Sequence, residues 1–174
     1  MKRLLNVSLG HHAPYVINAV VEIPKGSKRK YRYNSRRKKY RVDYKFSMPA
    51  PIEQGWIPEA IRENGSNLEA IIISRNATRP GYVCQIRPIG TLKFKNKSHR
   101  VIGVLLSEDR YVNIQSIYDI DTNLIKKIMT FYEPYFELDG WLDKKDTFEL
   151  IERSHQRYLK KEKKPRKKPD AEDE

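Results

Sequence analysis

The chain has 174 residues, which is enough for one domain of ordinary size, alone or followed by a tail. Lysine and arginine total 35 against 22 aspartates and glutamates, so the formal net charge is +13 and a polyanionic partner is favoured over an acidic one. The single cysteine, Cys84, excludes an internal disulfide and a cysteine-based zinc site. No apolar run reaches transmembrane length and the N-terminal residues lack a secretory apolar region, so we expect a soluble, cytoplasmic protein.

The positive charge is concentrated in one short segment. Residues 25–45 hold eleven lysines and arginines against one acidic residue, Asp43, whereas residues 46–154 are nearly balanced. Residues 160–174 form a basic run followed by an acidic one, and they contain too little apolar surface to offset the entropy of ordering. We therefore predict a folded domain over residues 1–159 and a disordered charged tail over residues 160–174.

The first two thirds of the chain predict β-structure. Residues 15–23 are rich in valine and isoleucine and end at Pro24, as a strand would. Residues 29–33 and 39–46 alternate tyrosine or valine with charged side chains on either side of a polar turn at residues 34–37. This alternation predicts a hairpin whose tyrosines pack inward and whose cations point outward or towards a cleft.

Further short strands are expected in the middle of the chain, followed by two helices. The predicted strands cover residues 68–74, 82–86, 91–94 and 100–107, a spacing typical of a small barrel or sandwich. Thr122 is expected to cap the first helix, which Gly140 would end after an interruption at Pro134. Thr147 is expected to cap the second helix.

The basic hairpin is the most informative feature of the composition. Cations interleaved with tyrosines fit a groove for a phosphate backbone with stacking platforms, and they fit equally a solvated sheet face. No Gly-x-x-x-x-Gly-Lys-Ser/Thr phosphate loop and no Gly-x-Ser-x-Gly elbow is present. Cys84 lies in an apolar strand pattern, which predicts a buried structural thiol.

Several segments, in order along the chain, resemble one known family. Residues 19–31 read Ala-Val-Val-Glu-Ile-Pro-Lys-Gly-Ser-Lys-Arg-Lys-Tyr, which resembles the V-x-E-I-P and K-Y-E opening of the soluble family I inorganic pyrophosphatases. Four further segments resemble that family's Y-G-F-I-P, D-G-D-P-x-D, R-P-x-G-x-L and F-x-x-Y motifs. They are Gly-Trp-Ile-Pro at 55–58, Asn-Gly-Ser-Asn-Leu-Glu at 64–69, Arg-Pro-Ile-Gly-Thr-Leu at 87–92 and Phe-Tyr-Glu-Pro-Tyr at 131–135.

The resemblance covers roughly residues 4–160 and carries expectations about fold, assembly and chemistry. It implies an α+β, mainly β fold, namely a five-stranded barrel of OB type with two flanking C-terminal helices. Members assemble as hexamers or dimers, so we expect a homo-oligomer. Members also hydrolyse pyrophosphate to two phosphates with several Mg²⁺ ions, which clustered carboxylates hold because Mg²⁺ prefers hard oxygen ligands.

This sequence departs from the family pattern where the metals would be held. The aspartates of D-G-D-P-x-D are Asn64, Ser66 and Glu69 here. Residues 93–100 contain no carboxylate where the family has D-x-x-x-x-D-x-K, and Arg100 stands at or near its lysine. Further changed positions are Arg32, Tyr44, Ala50, Gln54 and Phe136, whereas Glu22, Lys30, Asp43 and Tyr135 are retained. Neighbouring acids that could replace the missing ligands are Glu53, Glu59 and Glu63.

Our main hypothesis from the sequence is a degenerate member of this family that has lost Mg²⁺-dependent hydrolysis. It would act instead as a structural module or bind a polyanion such as RNA, a ribosome or another nucleoprotein, and it would need no metal or other cofactor. The phosphate- or polyanion-binding residues would be Lys28, Arg29, Lys30, Arg32, Arg36, Arg37, Lys38, Lys39 and Arg100.

Two alternatives stay open at this point. The first is a weak or altered inorganic diphosphatase that acts on pyrophosphate with Mg²⁺, with Glu22 and Glu69 as its catalytic residues. The second is a regulatory subunit that assembles with an active pyrophosphatase.

Overall fold

The computed structural model describes residues 6–163. Its eight strands are β1 (Ile17–Ile23), β2 (Arg29–Asn34), β3 (Lys39–Lys45), β4 (Glu53–Ile61), β5 (Asn67–Ile73), β6 (Val83–Phe94), β7 (Arg100–Leu105) and β8 (Leu138–Leu142). Its two α-helices are α1 (Thr122–Tyr132) and α2 (Lys144–Glu162), and two short 3₁₀-helices cover Asp109–Tyr111 and Ile117–Asp119.

Five of the strands close into a barrel. They pair in the order β1-β4-β5-β7-β6, and β6 pairs back onto β1, with Ile17 opposite Ile86. Strands β5 and β7 run parallel, and the other barrel pairs are antiparallel. The predicted mainly β fold with a five-stranded OB-like barrel and two C-terminal helices is confirmed.

The predicted hairpin forms a separate two-stranded sheet from β2 and β3. Tyr33 pairs with Tyr40, and their rings lie 5.3 Å apart. The expectation of inward tyrosines needs correction, because no residue of either strand is buried and Tyr44 is 47% exposed. A two-stranded ribbon has no second layer to cover its faces. The Tyr40 ring instead packs against Gly81 in the loop between β5 and β6, where an added Cβ would lie 2.4 Å from the Tyr40 hydroxyl.

The sequence did not predict strands β4 and β8, and it predicted β6 as two separate strands. Strand β4 includes a proline, Pro58, and lacks simple alternation, because seven of its nine residues are buried. Strand β8 surrounds Gly140, which adopts a φ of 112° inside the strand and ends no helix. Pro88 and Gly90 flank a register shift in β6, so the strand continues through a bulge where a break was expected.

Both helices begin at an aspartate that precedes the predicted cap. The Asp121 side chain accepts a hydrogen bond from the Leu124 amide, and the Asp143 side chain accepts one from the Asp146 amide. Thr147 lies one turn inside α2 and is fully buried. Its hydroxyl bonds the buried Thr91 hydroxyl of β6 at 2.7 Å, which fixes α2 against the barrel.

Alternate residues along the strands divide the core into two clusters. Ile71 and Ile73 of β5 belong to a cluster that contains Ile128 and Phe131 of α1. Ala70 and Ile72 belong to a second cluster, which α2 covers with Ile151. The buried Cys84 is part of this second cluster, and burial, aided by Glu53, raises the pKa of its thiol to about 12. The predicted structural thiol therefore has the expected surroundings.

Helix α2 continues through Glu162, so the first three residues of the predicted tail are helical. Lys163 is the C-cap of this helix, and residues 164–174 of the predicted tail lie outside the described residues. Within residues 6–163, no helix has the length and apolar character needed to cross a membrane.

Candidate functional site

One pocket collects most of the residues that the sequence singled out. It is lined by residues of strands β1 to β5 and β7 and has a volume of about 570 Å³. The segment that follows α1 forms its opposite wall. The charged side chains that line it are Glu22, Lys30, Asp43, Glu69 and Arg100.

Glu22, Lys30, Glu69 and Arg100 form a continuous chain of ion pairs. The Lys30 ammonium lies 3.6 Å from a Glu22 oxygen and 3.2 Å from Oε1 of Glu69. The other Glu69 oxygen lies 2.7 Å from Nη2 of Arg100. Arg32 adds a third cation at the pocket's edge, 3.4 Å from Asp43. Three carboxylates are thus matched by three cations.

An aromatic cage holds the Arg100 guanidinium in place. The rings of Phe136, Tyr132 and Phe94 have their centroids 4.7, 4.9 and 5.4 Å from its central carbon. Nη1 donates to the Ser98 carbonyl, and only 10% of the side chain is exposed. The three rings therefore hold the positive charge of Arg100 in a fixed position, where the Glu69 carboxylate neutralises it.

The two glutamates of the pocket differ in their electrostatics. Burial raises the pKa of Glu22; Lys30 counters this shift, and the neighbouring Glu69 charge adds to it. Burial acts on Glu69 in the same direction, but Arg100 and then Lys30 outweigh it and hold the pKa of Glu69 below its usual value. Charge pairing therefore favours the anionic form of Glu69, whereas Glu22 has the higher proton affinity of the two.

Aromatic side chains form the outer wall of the pocket. The Tyr135 hydroxyl accepts a hydrogen bond from the Ser47 amide at 3.1 Å and lies 3.2 Å from the Ser47 hydroxyl. These bonds lower the pKa of Tyr135. Edge contacts from Tyr44 and Phe46 set the orientation of its ring.

Two turns stand where the family has its acidic segments, and an arginine contacts each of them. In the 62–66 turn, the Asn64 side-chain oxygen accepts from the amide and hydroxyl of Ser66, and Arg62 donates to that hydroxyl at 2.9 Å. In the 93–99 turn, the Asn96 oxygen accepts from the amide and hydroxyl of Ser98, and Arg100 contacts Ser98. Each turn is closed by its own hydrogen bonds.

The acids present do not fit the multi-metal site that the resemblance implies. Within residues 6–163, no three acidic, histidine or cysteine side chains are grouped for a metal ion. Glu69 has a cation on each oxygen, and the buried Glu53 binds the Thr78 amide. Glu63 lies between Lys97 and Arg157. Glu59, the third possible substitute, bonds the His155 ring through its backbone carbonyl.

The structure brings together some of the predicted site residues and separates others. Glu22, Lys30, Glu69 and Arg100 line the pocket, with Arg32 at its edge. Lys28, Arg29, Arg36, Arg37, Lys38 and Lys39 are exposed on the hairpin or before it and do not line the pocket. The cage around Arg100 was missed, because apolar helix residues such as Tyr132 carry no sequence signal for a buried guanidinium.

Comparison with known proteins points to one family. A family model described as inorganic pyrophosphatase matches residues 19–159. The inorganic pyrophosphatase of Sulfolobus acidocaldarius is 33% identical over 142 residues, which covers 78% of this chain and 82% of that protein. The inorganic pyrophosphatase of Thermus thermophilus is 29% identical over 91% of this chain and 99% of its own. Its crystal structure superposes with a TM-score of 0.81 over 88% of this chain and 97% of that chain.

These matches correct the main hypothesis drawn from the sequence. The relatives named above are inorganic pyrophosphatases, and nothing in the matches indicates lost hydrolysis or binding of RNA, ribosomes or nucleoproteins. The hypothesis of a polyanion-binding pseudoenzyme is therefore wrong, and the alternative of an altered diphosphatase fits better. The sequence argument assumed an excess of cations in the pocket, but Lys30, Arg100 and Arg32 are each paired with a pocket carboxylate.

Proposed function

Because this chain belongs to the inorganic pyrophosphatase family, we propose that it is an altered inorganic diphosphatase that hydrolyses pyrophosphate to two phosphates. The observation that carries the proposal is the Glu22–Lys30–Glu69 chain, which lies in a pocket large enough for pyrophosphate. Tyr135 faces the same pocket from the aromatic wall. Four residues that line the pocket retain the family's residue type, namely Glu22, Lys30, Asp43 and Tyr135.

Lys30 is the cation best placed to contact the substrate. About a quarter of its side chain is exposed, whereas only 10% of the Arg100 side chain is accessible. An ammonium group binds a phosphate oxygen through a charge-assisted hydrogen bond. In this proposal Lys30 holds one phosphate group, and the caged Arg100 keeps Glu69 and therefore Lys30 in position.

Glu22 is the proposed general base. Its raised pKa makes it a better proton acceptor than an ordinary glutamate. A water oxygen attacks one phosphorus atom, the bond from that phosphorus to the bridging oxygen breaks, and Glu22 takes the proton of the water. The second phosphate leaves with the bridging oxygen and its electron pair.

Mg²⁺ is the cofactor that family membership implies, but the described acids do not form a site for several ions. We therefore assign no step to a metal held by the protein. The dependence of the rate on Mg²⁺ is a quantity to be measured.

The proposal is tested by phosphate release from pyrophosphate, with purified full-length protein, in Mg²⁺ and in EDTA. We expect release by the wild type and a loss of about 100-fold or more in kcat for Glu22→Gln, the usual cost of removing a general base. Lys30→Gln should lower kcat/KM. Lys38→Gln removes the same charge at the exposed hairpin tip and should leave the rate unchanged.

Absence of release from the wild type in both Mg²⁺ and EDTA would contradict the proposed activity. Release that Glu22→Gln retains in full would contradict the role of Glu22 while leaving the activity itself intact.

A further inference from the structure

A second concave site lies outside the pocket described above. The 62–66 turn, the 93–99 turn and helix α2 enclose a groove of about 480 Å³. Six cationic side chains line it, against two carboxylates, Glu63 and Asp139. The cations are Arg62, Lys93, Lys95, Lys97, Arg153 and Arg157.

The two carboxylates do not neutralise this charge. Glu63 is shared between Lys97, at 3.8 Å, and Arg157, at 3.5 Å, and 68% of its side chain is exposed. Asp139 pairs with Lys93 at 3.5 Å. Exposed pairs of this kind contribute little to stability and exchange partners readily. Lys95 pairs with Glu137, an exposed residue outside the groove lining. These exposed ion pairs leave the lysines and arginines accessible to a ligand of higher charge.

Arg62 supplies a charge that the protein leaves incompletely compensated. It is half-buried at the groove, and Nε is occupied by the Ser66 hydroxyl. Within residues 6–163, neither Arg62 nor Arg153 forms an ion pair. Burial lowers the pKa of Arg62; the Glu69 charge counters this shift, and the Arg100 charge adds to it. A half-buried guanidinium beside other cations is stabilised by an anion.

We propose that this groove is a binding site for a small phosphate-bearing anion, with Arg62, Lys97 and Arg153 as the contacting cations. Guanidinium groups match the geometry of phosphate oxygens, and lysine adds charge. The volume lies within the range of sites for small molecules, about 300–1,000 Å³. The site lies outside the Glu22–Lys30 pocket and does not depend on the proposed hydrolysis.

Titration calorimetry with inorganic phosphate tests the site, in EDTA and at an ionic strength held constant with NaCl. The main variant is Lys97→Gln/Arg153→Gln, because both side chains are exposed and their loss should not disturb folding. The matched control, Arg36→Gln/Arg37→Gln, removes the same charge from the hairpin tip. Arg62→Gln is a third variant, whose folding is checked by near-UV circular dichroism.

We expect saturable binding by the wild type and a Kd about tenfold higher or more in Lys97→Gln/Arg153→Gln, as the loss of charged hydrogen bonds predicts. The hairpin control should bind phosphate like the wild type, and Lys30→Gln should retain the saturable binding that Lys97→Gln/Arg153→Gln weakens. No saturable binding, or equal weakening in the hairpin control, would overturn the proposal. Weakening by Lys30→Gln alone would place the anion in the other pocket and overturn it as well.

Parallel titrations with AMP distinguish the source of the phosphate group. Tighter binding of AMP than of inorganic phosphate, lost in the groove variant, would identify the phosphate of a nucleotide. Tighter binding of inorganic phosphate would identify the free anion, which is also the product of the proposed reaction.

Discussion

Glu69 and Arg100 form the shortest ion pair in the candidate site. The guanidinium stands among three aromatic rings, and its carboxylate partner lies 2.7 Å away. Removing one partner of a largely buried pair leaves the other charge without compensation, which costs more than the pair contributes. A substitution at either position is therefore expected to change the free energy of unfolding.

Glu69→Gln is expected to lower the free energy of unfolding by about 3 kcal/mol, because Arg100 keeps its charge inside the cage. Urea denaturation at neutral pH measures the change. Glu152→Gln, on the exposed face of α2, is the control and should change the free energy by no more than about 0.5 kcal/mol. Equal stability of Glu69→Gln and the wild type would show that the pair is dispensable.

Acidification should remove the same contribution. The pKa of Glu69 is lower in the folded state than in the unfolded state, so its stabilisation is fully present above the unfolded value. It declines as the pH falls below about 4.3 and is lost once the pH passes the folded value. Glu22 acts with the opposite sign, because its pKa is raised on folding. Denaturation between neutral pH and pH ~3 should show a smaller loss for Glu69→Gln than for the wild type.

At the scale of elements, one buried polar pair contributes to the contact between α2 and the barrel. Thr91 of β6 and Thr147 of α2 are both fully buried, and each hydroxyl is the partner of the other. Thr147→Val leaves the Thr91 hydroxyl unsatisfied and should cost about 1–3 kcal/mol.

The double variant Thr91→Val/Thr147→Val should cost less than the sum of the single changes, because no orphaned hydroxyl remains. Chemical denaturation of the four proteins of this cycle gives the coupling, and the exposed Thr130→Val is the control. Additive effects would show that the two hydroxyls do not interact.

The strands that the sequence predicted are those with a repeating local pattern. Val and Ile recur in β1, β5 and β7, and alternation marks the hairpin. Strands β4 and β8 obey no such pattern, since β4 is buried on both faces and β8 is defined by its pairing with β6. Tertiary neighbours decide such segments, and a single sequence does not contain those neighbours.

The sequence predicted which residues line the candidate site better than it predicted how their charges are paired. Motif positions identified Glu22, Lys30, Glu69 and Arg100 before their proximity was known. A residue-by-residue count of lost carboxylates could not show that the remaining ones are paired. Pairing depends on distances between β1, β2, β5 and β7, which are fixed only by closure of the barrel.

For the whole molecule, the ion pairs in the pocket predict that divalent cations do not change the stability of the fold. The carboxylates are neutralised by Lys30, Arg100 and Arg32, so an added metal gains little from binding the unliganded protein. The melting temperature in millimolar Mg²⁺ and in EDTA should differ by less than about 1 °C. A rise of several degrees in Mg²⁺ would reveal a metal site that side-chain rearrangement creates.

The closure of the barrel also bears on how the chain folds. Strand pairs β2–β3 and β6–β7 join neighbours in sequence, but Ile17 of β1 pairs with Ile86, 69 positions later. Contacts between distant parts of a chain form slowly, because the entropy of closing the intervening loop is lost before the contact contributes. The seam between β1 and β6 is therefore expected to form last on the folding pathway. Before this seam forms, the five strands would make an open sheet with two unpaired edges. The longer this intermediate lasts during synthesis, the more the chain is exposed to aggregation.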